Sequence, residues 1–213
     1  MNIGISQRID KIASYCEKRD ALDQRMVSWV ASIGLIPILI PNSLVDETLP
    51  VNKQLRLKKW LQVMRLDAMI LSGGNNIGEA PQRDLTENYL LSWAENKNIP
   101  VLGICRGMQM MGIFGGGVLG EVDLHVSTRH LLRFDRTKYL LPESVNSYHN
   151  SRLINCPPAF KILATSEDGS LEAMAHNDLP WEGWMWHPER EANISSIDTS
   201  RFKRLIKSKN QNG

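Results

Sequence analysis

Four short apolar runs in the first half of the chain alternate with segments of helical length. The runs are Ile3-Gly4-Ile5, Ile36-Pro37-Ile38-Leu39-Ile40, Ala68-Met69-Ile70-Leu71 and Val101-Leu102-Gly103-Ile104. A run that is apolar at successive positions is typical of a strand buried on both faces of a sheet. The alternation therefore predicts a parallel sheet covered by helices on both sides, with ligands at the carboxyl ends of its strands.

The segments between these runs carry apolar side chains at helical spacing. The positions are Leu22, Met26, Trp29, Val30 and Ile33 before Gly34, then Leu57, Trp60, Leu61 and Met64, then Tyr89, Leu90, Trp93 and Ala94 before Asn98. A further helix is predicted to begin after Cys105 and to continue through Met111.

The second half of the chain has shorter segments separated by turn residues. Partly antiparallel strands are predicted at Leu131-Leu132-Arg133-Phe134, Lys161-Ile162-Leu163-Ala164-Thr165 and Leu171-Glu172-Ala173-Met174-Ala175. Glu167-Asp168-Gly169-Ser170 predicts a hairpin turn, and the glycine-rich stretch at 115–120 predicts a loop or short strand. A closing helix is expected from Ser200 to Lys209, and one domain over residues 1–213.

Composition excludes few functions. The chain has 213 residues, 42% of them hydrophobic and 23% charged, and a net charge of +2, which is ordinary for a globular protein. Without a basic run, no nucleic-acid partner is expected. No segment resembles a membrane span or an export signal, and the three widely separated cysteines fit a reducing, cytoplasmic setting.

Cys105 is the candidate nucleophile. It lies in Gly103-Ile104-Cys105-Arg106-Gly107, directly after a predicted buried strand and before a predicted helix. A sharp strand-to-helix turn exposes its central side chain at a helix N-terminus, whose partial positive charge favours a thiolate. An isolated cysteine is more often a small apolar residue, but the flanking glycines favour the nucleophile.

His187 and Glu189 are the candidate base and its orienting group. Pro188 keeps His187 extended, so side chains two positions apart project to the same side, and Glu189 can orient the imidazole. Alone, this segment could also be a surface loop with an ordinary ion pair. The backbone N–H groups of Gly74 and Arg106 are the candidate donors to an oxyanion, although Ser72-Gly73-Gly74 could equally be a tight turn.

Together these residues resemble the class I glutamine amidotransferase superfamily, and within it the peptidase C26 type of γ-glutamyl hydrolase. The matching segments are Ser72-Gly73-Gly74, Gly103 to Gln109, Val145 to His149 and Trp186-His187-Pro188-Glu189. The resemblance implies a flavodoxin-like three-layer α/β sandwich and a Cys105-His187-Glu189 triad that attacks a γ-glutamyl amide. It also implies that the glutamyl group is held by Gln109, Asn146, Ser147, Tyr148 and His149, with His149 acting mainly through its backbone.

Arg106 is typical of the hydrolase branch. Asn75-Asn76 and Gly112-Ile113-Phe114-Gly115-Gly116-Gly117 depart from the pattern of many C26 hydrolases on the leaving-group side. A narrower resemblance, to the γ-glutamyl-CDP-amidate hydrolases of capsule phosphoramidate synthesis, includes Arg8 and Arg19. Guanidinium groups pair well with phosphate oxygens, so both arginines are candidate phosphate contacts, although surface arginines are often merely solvated.

The expected function is a free-standing hydrolase that releases glutamate from a small γ-glutamyl conjugate. The alternative is a glutaminase subunit that delivers ammonia to a separate synthetase, which Arg106 disfavours; a non-catalytic binding protein is remoter. No cofactor is expected. His125 and His130 could mimic a metal pair, but no carboxylate or cysteine cluster accompanies them in the sequence, so no metal is expected.

Overall fold

Each of the four apolar runs forms a strand of one central sheet. In the computed structural model, which describes residues 1–207, the strands are β1 (Asn2–Ser6), β2 (Arg8–Ile12), β3 (Glu17–Ala21), β4 (Ile36–Ile40), β5 (Ala68–Leu71), β6 (Val101–Ile104), β7 (Leu119–Glu121), β8 (Val126–Leu131), β9 (Ser144–Tyr148), β10 (Ser151–Leu153), β11 (Phe160–Thr165), β12 (Leu171–His176) and β13 (Trp181–Trp184). The α-helices are α1 (Gln24–Ser32), α2 (Leu55–Met64), α3 (Pro81–Lys97), α4 (Arg106–Phe114) and α5 (Ser196–Lys207).

The central sheet has seven strands in the order β11-β12-β13-β6-β5-β1-β4. Neighbours from β13 to β4 are parallel, whereas β11 and β12 add antiparallel strands at one edge. β5 lies beside β6, with Leu71 opposite Gly103. The loops that follow β5, β6 and β13 therefore open at the same edge of the sheet.

Helices cover both faces of this sheet. On one face α1 packs beside α5, where the rings of Trp29 and Phe202 stack with centroids 5.5 Å apart. On the other face a second core contains Leu57 of α2, Leu90 of α3 and Met108 of α4. The architecture is the predicted three-layer α/β sandwich with a mostly parallel sheet.

The hairpin turn at 167–170 is confirmed between β11 and β12, and Gly169 has a φ of +83° there. The glycine-rich stretch at 115–120 is a loop followed by the short strand β7, which pairs with β10, as predicted. Two details differ from the sequence predictions. β8 ends at Leu131, after which Arg133 makes only a single bridge to Thr165. α5 begins at Ser196 rather than Ser200, while Ser208 and Lys209 of the predicted helix lie outside the described residues.

The hairpin of β2 and β3 was not predicted. It lies between β1 and α1, and its second strand is almost wholly exposed. A strand with both faces in water lacks the apolar alternation from which strands are predicted. Among residues 1–207, none of the helices has both the length and the apolar composition that crossing a membrane requires.

Candidate active site

Cys105 lies on the predicted sharp turn between β6 and α4. Its backbone has a φ of +52° and a ψ of −106°, which is strained for a residue with a side chain. The Cys105 N–H donates to Trp184 O at 2.7 Å, and the Cys105 carbonyl accepts from Gln109 N at 3.1 Å. A Cβ at Gly107 would overlap the Leu71 carbonyl, so only glycine lets α4 approach β5 this closely.

His187 follows β13 at the same edge of the sheet, because β13 and β6 are parallel with Trp184 opposite Ile104. Its backbone is extended, as Pro188 predicts, and Nδ1 lies 2.7 Å from Oε1 of Glu189 with both side chains buried. Burial lowers the pKa of His187, but a hydrogen bond to Cys105 and the carboxylate of Glu189 outweigh it and raise the pKa to about 9. At neutral pH the imidazole is therefore protonated beside the sulfur.

Three neighbours confine the His187 ring. The Asn146 side chain hydrogen-bonds both the N–H and the carbonyl of His187. The Tyr148 ring meets the imidazole edge-on, with centroids 5.8 Å apart. A Cβ on Gly73 would lie 2.7 Å from Cε1 of His187, so the missing side chain at 73 leaves room for the ring.

Two adjoining clefts flank this group. One, of about 280 Å³, is lined by Cys105, Arg106, Gly74 and Gln109 together with Tyr148 and His149. The other, of about 300 Å³, is lined by Gly73, His187, Glu189 and Arg190. Arg8 and Gly74 line both clefts. The structure thus brings the predicted nucleophile, base, orienting carboxylate and oxyanion donors to one place.

Not every predicted substrate contact faces a cleft. Gln109, Tyr148 and His149 do, but Asn146 and Ser147 are buried with their side chains engaged elsewhere. Asn146 binds the main chain of His187, and the Ser147 hydroxyl donates to His125 O at 2.7 Å. Residues alternate in direction along β9, which explains why neighbours in one motif have different environments.

The two predicted phosphate contacts also differ in position. Arg8 stands at the junction of the clefts, half-exposed and 2.7 Å from Asp10. Arg19 is on β3, where its guanidinium pairs with Glu17 and lies over the Tyr15 ring, outside the lining of either cleft in the described part of the chain. Arg190, for which the motifs predicted no role, lines a cleft with its guanidinium 4.8 Å from the Tyr148 ring centroid.

A buried ionic network that the sequence did not reveal supports Ser72-Gly73-Gly74, the segment predicted to supply an oxyanion donor (the oxyanion segment). The guanidinium of Arg83 donates to Ser72 O at 2.6 Å, to Gly73 O at 3.0 Å and to Gly74 O. Glu87 accepts from Arg83, from Arg106 and from Ser6 Oγ. Burial raises the pKa of Glu87, but the guanidinium groups of Arg106 and Arg83 lower it below its ordinary value. The Arg106 side chain points towards α3, where its guanidinium pairs with Asp84 and Glu87.

A second group of titratable side chains includes His149. His125, His130, His149 and Glu172 each offer a ligand atom within 4.8 Å of the others. The expectation that no carboxylate accompanies the histidines was wrong, because Glu172 lies far along the chain on β12 and only the fold brings it there.

Comparison with solved structures identifies the fold as that of the class I glutamine amidotransferases. A Thermoplasma acidophilum protein assigned as a GMP synthase subunit superposes with a TM-score of 0.69 at 21% identity, over 99% of this chain and 94% of its own. The chain belongs to the peptidase C26 family, whose profile, described as Peptidase C26, matches residues 3–189. Both assignments confirm the resemblance inferred from the motifs.

Two curated relatives carry different activities in their names. The γ-glutamyl-CDP-amidate hydrolase of Campylobacter jejuni is 29% identical over 205 residues, which cover 92% of this chain and 94% of that protein. One subunit of the glutamine-hydrolysing GMP synthase of Pyrococcus furiosus is 31% identical over 164 residues, covering 74% and 78%. The family makes the chain an amidohydrolase.

Proposed function

We propose that the chain is a cysteine-dependent hydrolase of γ-glutamyl amides whose substrate is γ-glutamyl-CDP-amidate or a similar conjugate with a phosphate-bearing leaving group. The observation that carries this proposal is the arrangement of Cys105, His187 and Glu189. Nδ1 of His187 lies 2.7 Å from Glu189, and the hydrogen bond to Cys105 helps to keep the imidazole protonated. A thiolate beside an imidazolium is the reactive form of a cysteine nucleophile.

In the first half of the reaction the Cys105 thiolate attacks the γ-carbonyl carbon. The negative charge that forms on the carbonyl oxygen is stabilised by the N–H groups of Gly74 and Arg106. Arg106 lies in the first turn of α4, where backbone N–H groups have no partner within the helix. His187 then gives its proton to the departing nitrogen as the carbon–nitrogen bond breaks, leaving a glutamyl thioester.

In the second half a water molecule hydrolyses this thioester. His187, now neutral, takes a proton from the water as its oxygen attacks the carbonyl carbon, and glutamate departs as the carbon–sulfur bond breaks. Glu189 holds the imidazole in one tautomer through Nδ1 and stabilises its charged form in both halves.

Arg8 is assigned to bind the phosphate of the leaving group. Its side chain lies at the junction of the two clefts, beside Gly74. Gln109 and Tyr148 line the cleft that contains Cys105, which suits the smaller glutamyl end. Contacts to a remote phosphate that persist in the transition state would raise turnover relative to glutamine, whose ammonia leaving group offers none.

The test is release of glutamate by the purified chain alone, from γ-glutamyl-CDP-amidate and from glutamine. The nucleotide conjugate is expected to react at least about a hundredfold faster, since two charge-assisted contacts are worth about 3 kcal/mol. Arg8→Ala should lose most of this advantage and keep slow glutamine hydrolysis, while Arg19→Ala is the matched control and should keep both rates. Equal rates on the two substrates would refute the leaving-group assignment.

The catalytic assignment has its own control. Cys105→Ala should abolish turnover of both substrates, whereas Cys156→Ala, which changes a cysteine outside the clefts in the described part of the chain, should leave it intact. Near-normal turnover by the Cys105→Ala variant would refute the assignment of Cys105, His187 and Glu189 as a catalytic triad. Only the family assignment would then remain.

The second candidate is a glutaminase subunit that supplies ammonia to a separate synthetase. The similarity to the Pyrococcus furiosus protein favours it, over a smaller share of this chain than the hydrolase similarity. It requires that glutamine hydrolysis by the chain alone be weak and rise many-fold when a synthetase is added.

A further inference from the structure

The cluster of His125, His130, His149 and Glu172 is assembled from four separate segments. His125 precedes β8, His130 lies on β8, His149 follows β9, and Glu172 is on β12. Three of the four side chains are buried and His130 is half-buried. Side chains that can ionise are rarely gathered in an interior unless something compensates their charge.

Hydrogen bonds on the outer side of the cluster orient two of the rings. Nδ1 of His149 lies 3.0 Å from the Ser151 carbonyl, and Nε2 of His125 lies 3.1 Å from Oδ2 of Asp168. Carbonyl and carboxylate oxygens are acceptors, so each of these nitrogens carries the hydrogen. The inner nitrogens, Nδ1 of His125 and Nε2 of His149, then present lone pairs to each other across 3.3 Å.

The buried carboxylate of Glu172 faces the same point. Oε1 lies 3.7 Å from Nδ1 of His125 and 3.7 Å from Nε2 of His149, and neither oxygen has a hydrogen-bond partner. Nε2 of His130 is likewise buried without a partner. A proton shared between the two inner nitrogens would still leave the carboxylate oxygens of Glu172 and Nε2 of His130 without hydrogen-bond partners. Burying such unpaired polar atoms costs the free energy of their desolvation.

The distances between the inner atoms are those expected of ligands to one metal ion. The point equidistant from Nδ1 of His125, Nε2 of His149 and Oε1 of Glu172 lies about 2.1 Å from each, within the range of zinc–nitrogen and zinc–oxygen bonds. The bonds from His125 to Asp168 and from His149 to Ser151 are of the kind that fix ligand histidines in metal sites.

We propose that His125, His130, His149 and Glu172 bind one Zn²⁺ ion in a tetrahedral site. Three imidazoles and one carboxylate suit this metal, and four protein ligands leave no open position for substrate, which marks a structural ion rather than a catalytic one. The ion joins the loop before β8, the end of β9 and the sheet strand β12.

The site shares His149 with the cleft that contains Cys105. His149 lines the cleft beside Tyr148, and Gln109 Nε2 donates to the same Ser151 carbonyl that accepts from His149. The four ligands are thus positioning residues for this wall of the cleft. Loss of the ion should raise KM more than it lowers kcat, because Cys105 and His187 are held by other contacts.

The test is the zinc content of the full chain in a Cys105→Ala background, which removes the catalytic thiolate as a competing ligand. After loading with Zn²⁺ and gel filtration, about one zinc per chain is expected by mass spectrometry of the metal. Glu172→Gln and His130→Gln in the same background should each retain at least about tenfold less zinc per chain. His176→Gln, which changes a histidine outside the cluster, is the matched control and should retain the full amount.

Cobalt gives a second readout that does not depend on activity. Co²⁺ in the same background should show the intense visible absorption of a tetrahedral site, and His130→Gln should abolish it. Because His130 is half-buried on a ribbon outside the central sheet, this variant is expected to fold, which circular dichroism verifies. Absence of bound metal in the background chain, or equal zinc content in the cluster variants, would overturn the proposal.

Discussion

The side-chain amide of Asn146 pairs with the main chain of His187 on both sides. Oδ1 accepts the His187 N–H at 2.9 Å, and Nδ2 donates to the His187 carbonyl at 2.8 Å. Nδ2 also donates to Oε1 of Glu191 at 2.8 Å, so the amide has a fixed orientation. Asn146 therefore holds the backbone from which the imidazole projects.

Asn146→Ala should lower kcat by about ten- to a hundredfold and change KM little, because a small displacement of a catalytic group costs this much in rate. Steady-state kinetics on the γ-glutamyl substrate measure both constants. Asn96→Ala, on the exposed face of α3, is the control and should match the parent. A raised KM with an unchanged kcat would instead make Asn146 a substrate contact.

The raised pKa of His187, about 9, predicts the alkaline limb of the pH profile. The departing nitrogen needs a proton from the imidazolium, so kcat/KM should fall as the pH rises through about 9. Glu189→Gln removes a charge that raises this pKa, and the limb should move to lower pH. The measurement is kcat/KM from about pH 6 to pH 10 for the parent and for Glu189→Gln. If the alkaline limb lies at the same pH in both proteins, it does not report the ionisation of His187.

Arg83→Lys should weaken both stability and catalysis. Lysine keeps the charge but cannot donate at once to the carbonyls of Ser72 and Gly73 and to Glu87. Loss of one or two charged hydrogen bonds in a buried network should cost about 2–3 kcal/mol in the free energy of unfolding. Urea unfolding and kcat measure the two effects. The exposed Arg56→Lys is the control, and an Arg83→Lys variant that unfolds like the parent would show the network to be dispensable.

Gly73→Ala should lower kcat without a comparable loss of stability. The new Cβ would lie 2.7 Å from Cε1 of His187, and the ring must shift from its present position to accommodate it. We expect a decrease in kcat of about a hundredfold. Gly120→Ala, whose Cβ would meet only the movable end of Ile154, is the control. Retention of full activity by Gly73→Ala would mean that the imidazole has room to shift without consequence.

The sequence by itself determined the features that depend on short stretches of chain. Apolar runs at 68–71 and 101–104 favoured strands buried on both faces, and the glycines around Cys105 favoured a tight turn. Pro188 set the extended backbone that lets Glu189 reach the imidazole of His187. These are local steric and periodic constraints, and they sufficed to predict a parallel sheet covered by helices on both sides. The family was indicated by the resemblance of the motifs.

The tertiary structure alone decided which polar groups meet. Arg83 reaches the oxyanion segment from α3, Asn146 reaches His187 from β9, and Glu172 joins His125 and His149 from β12. A polar residue in a helix or strand has the same local pattern whether it faces solvent or a buried partner many residues away. Its partner is fixed only when the packing of the sheet brings distant segments together and the cost of burying polar atoms demands that they be paired.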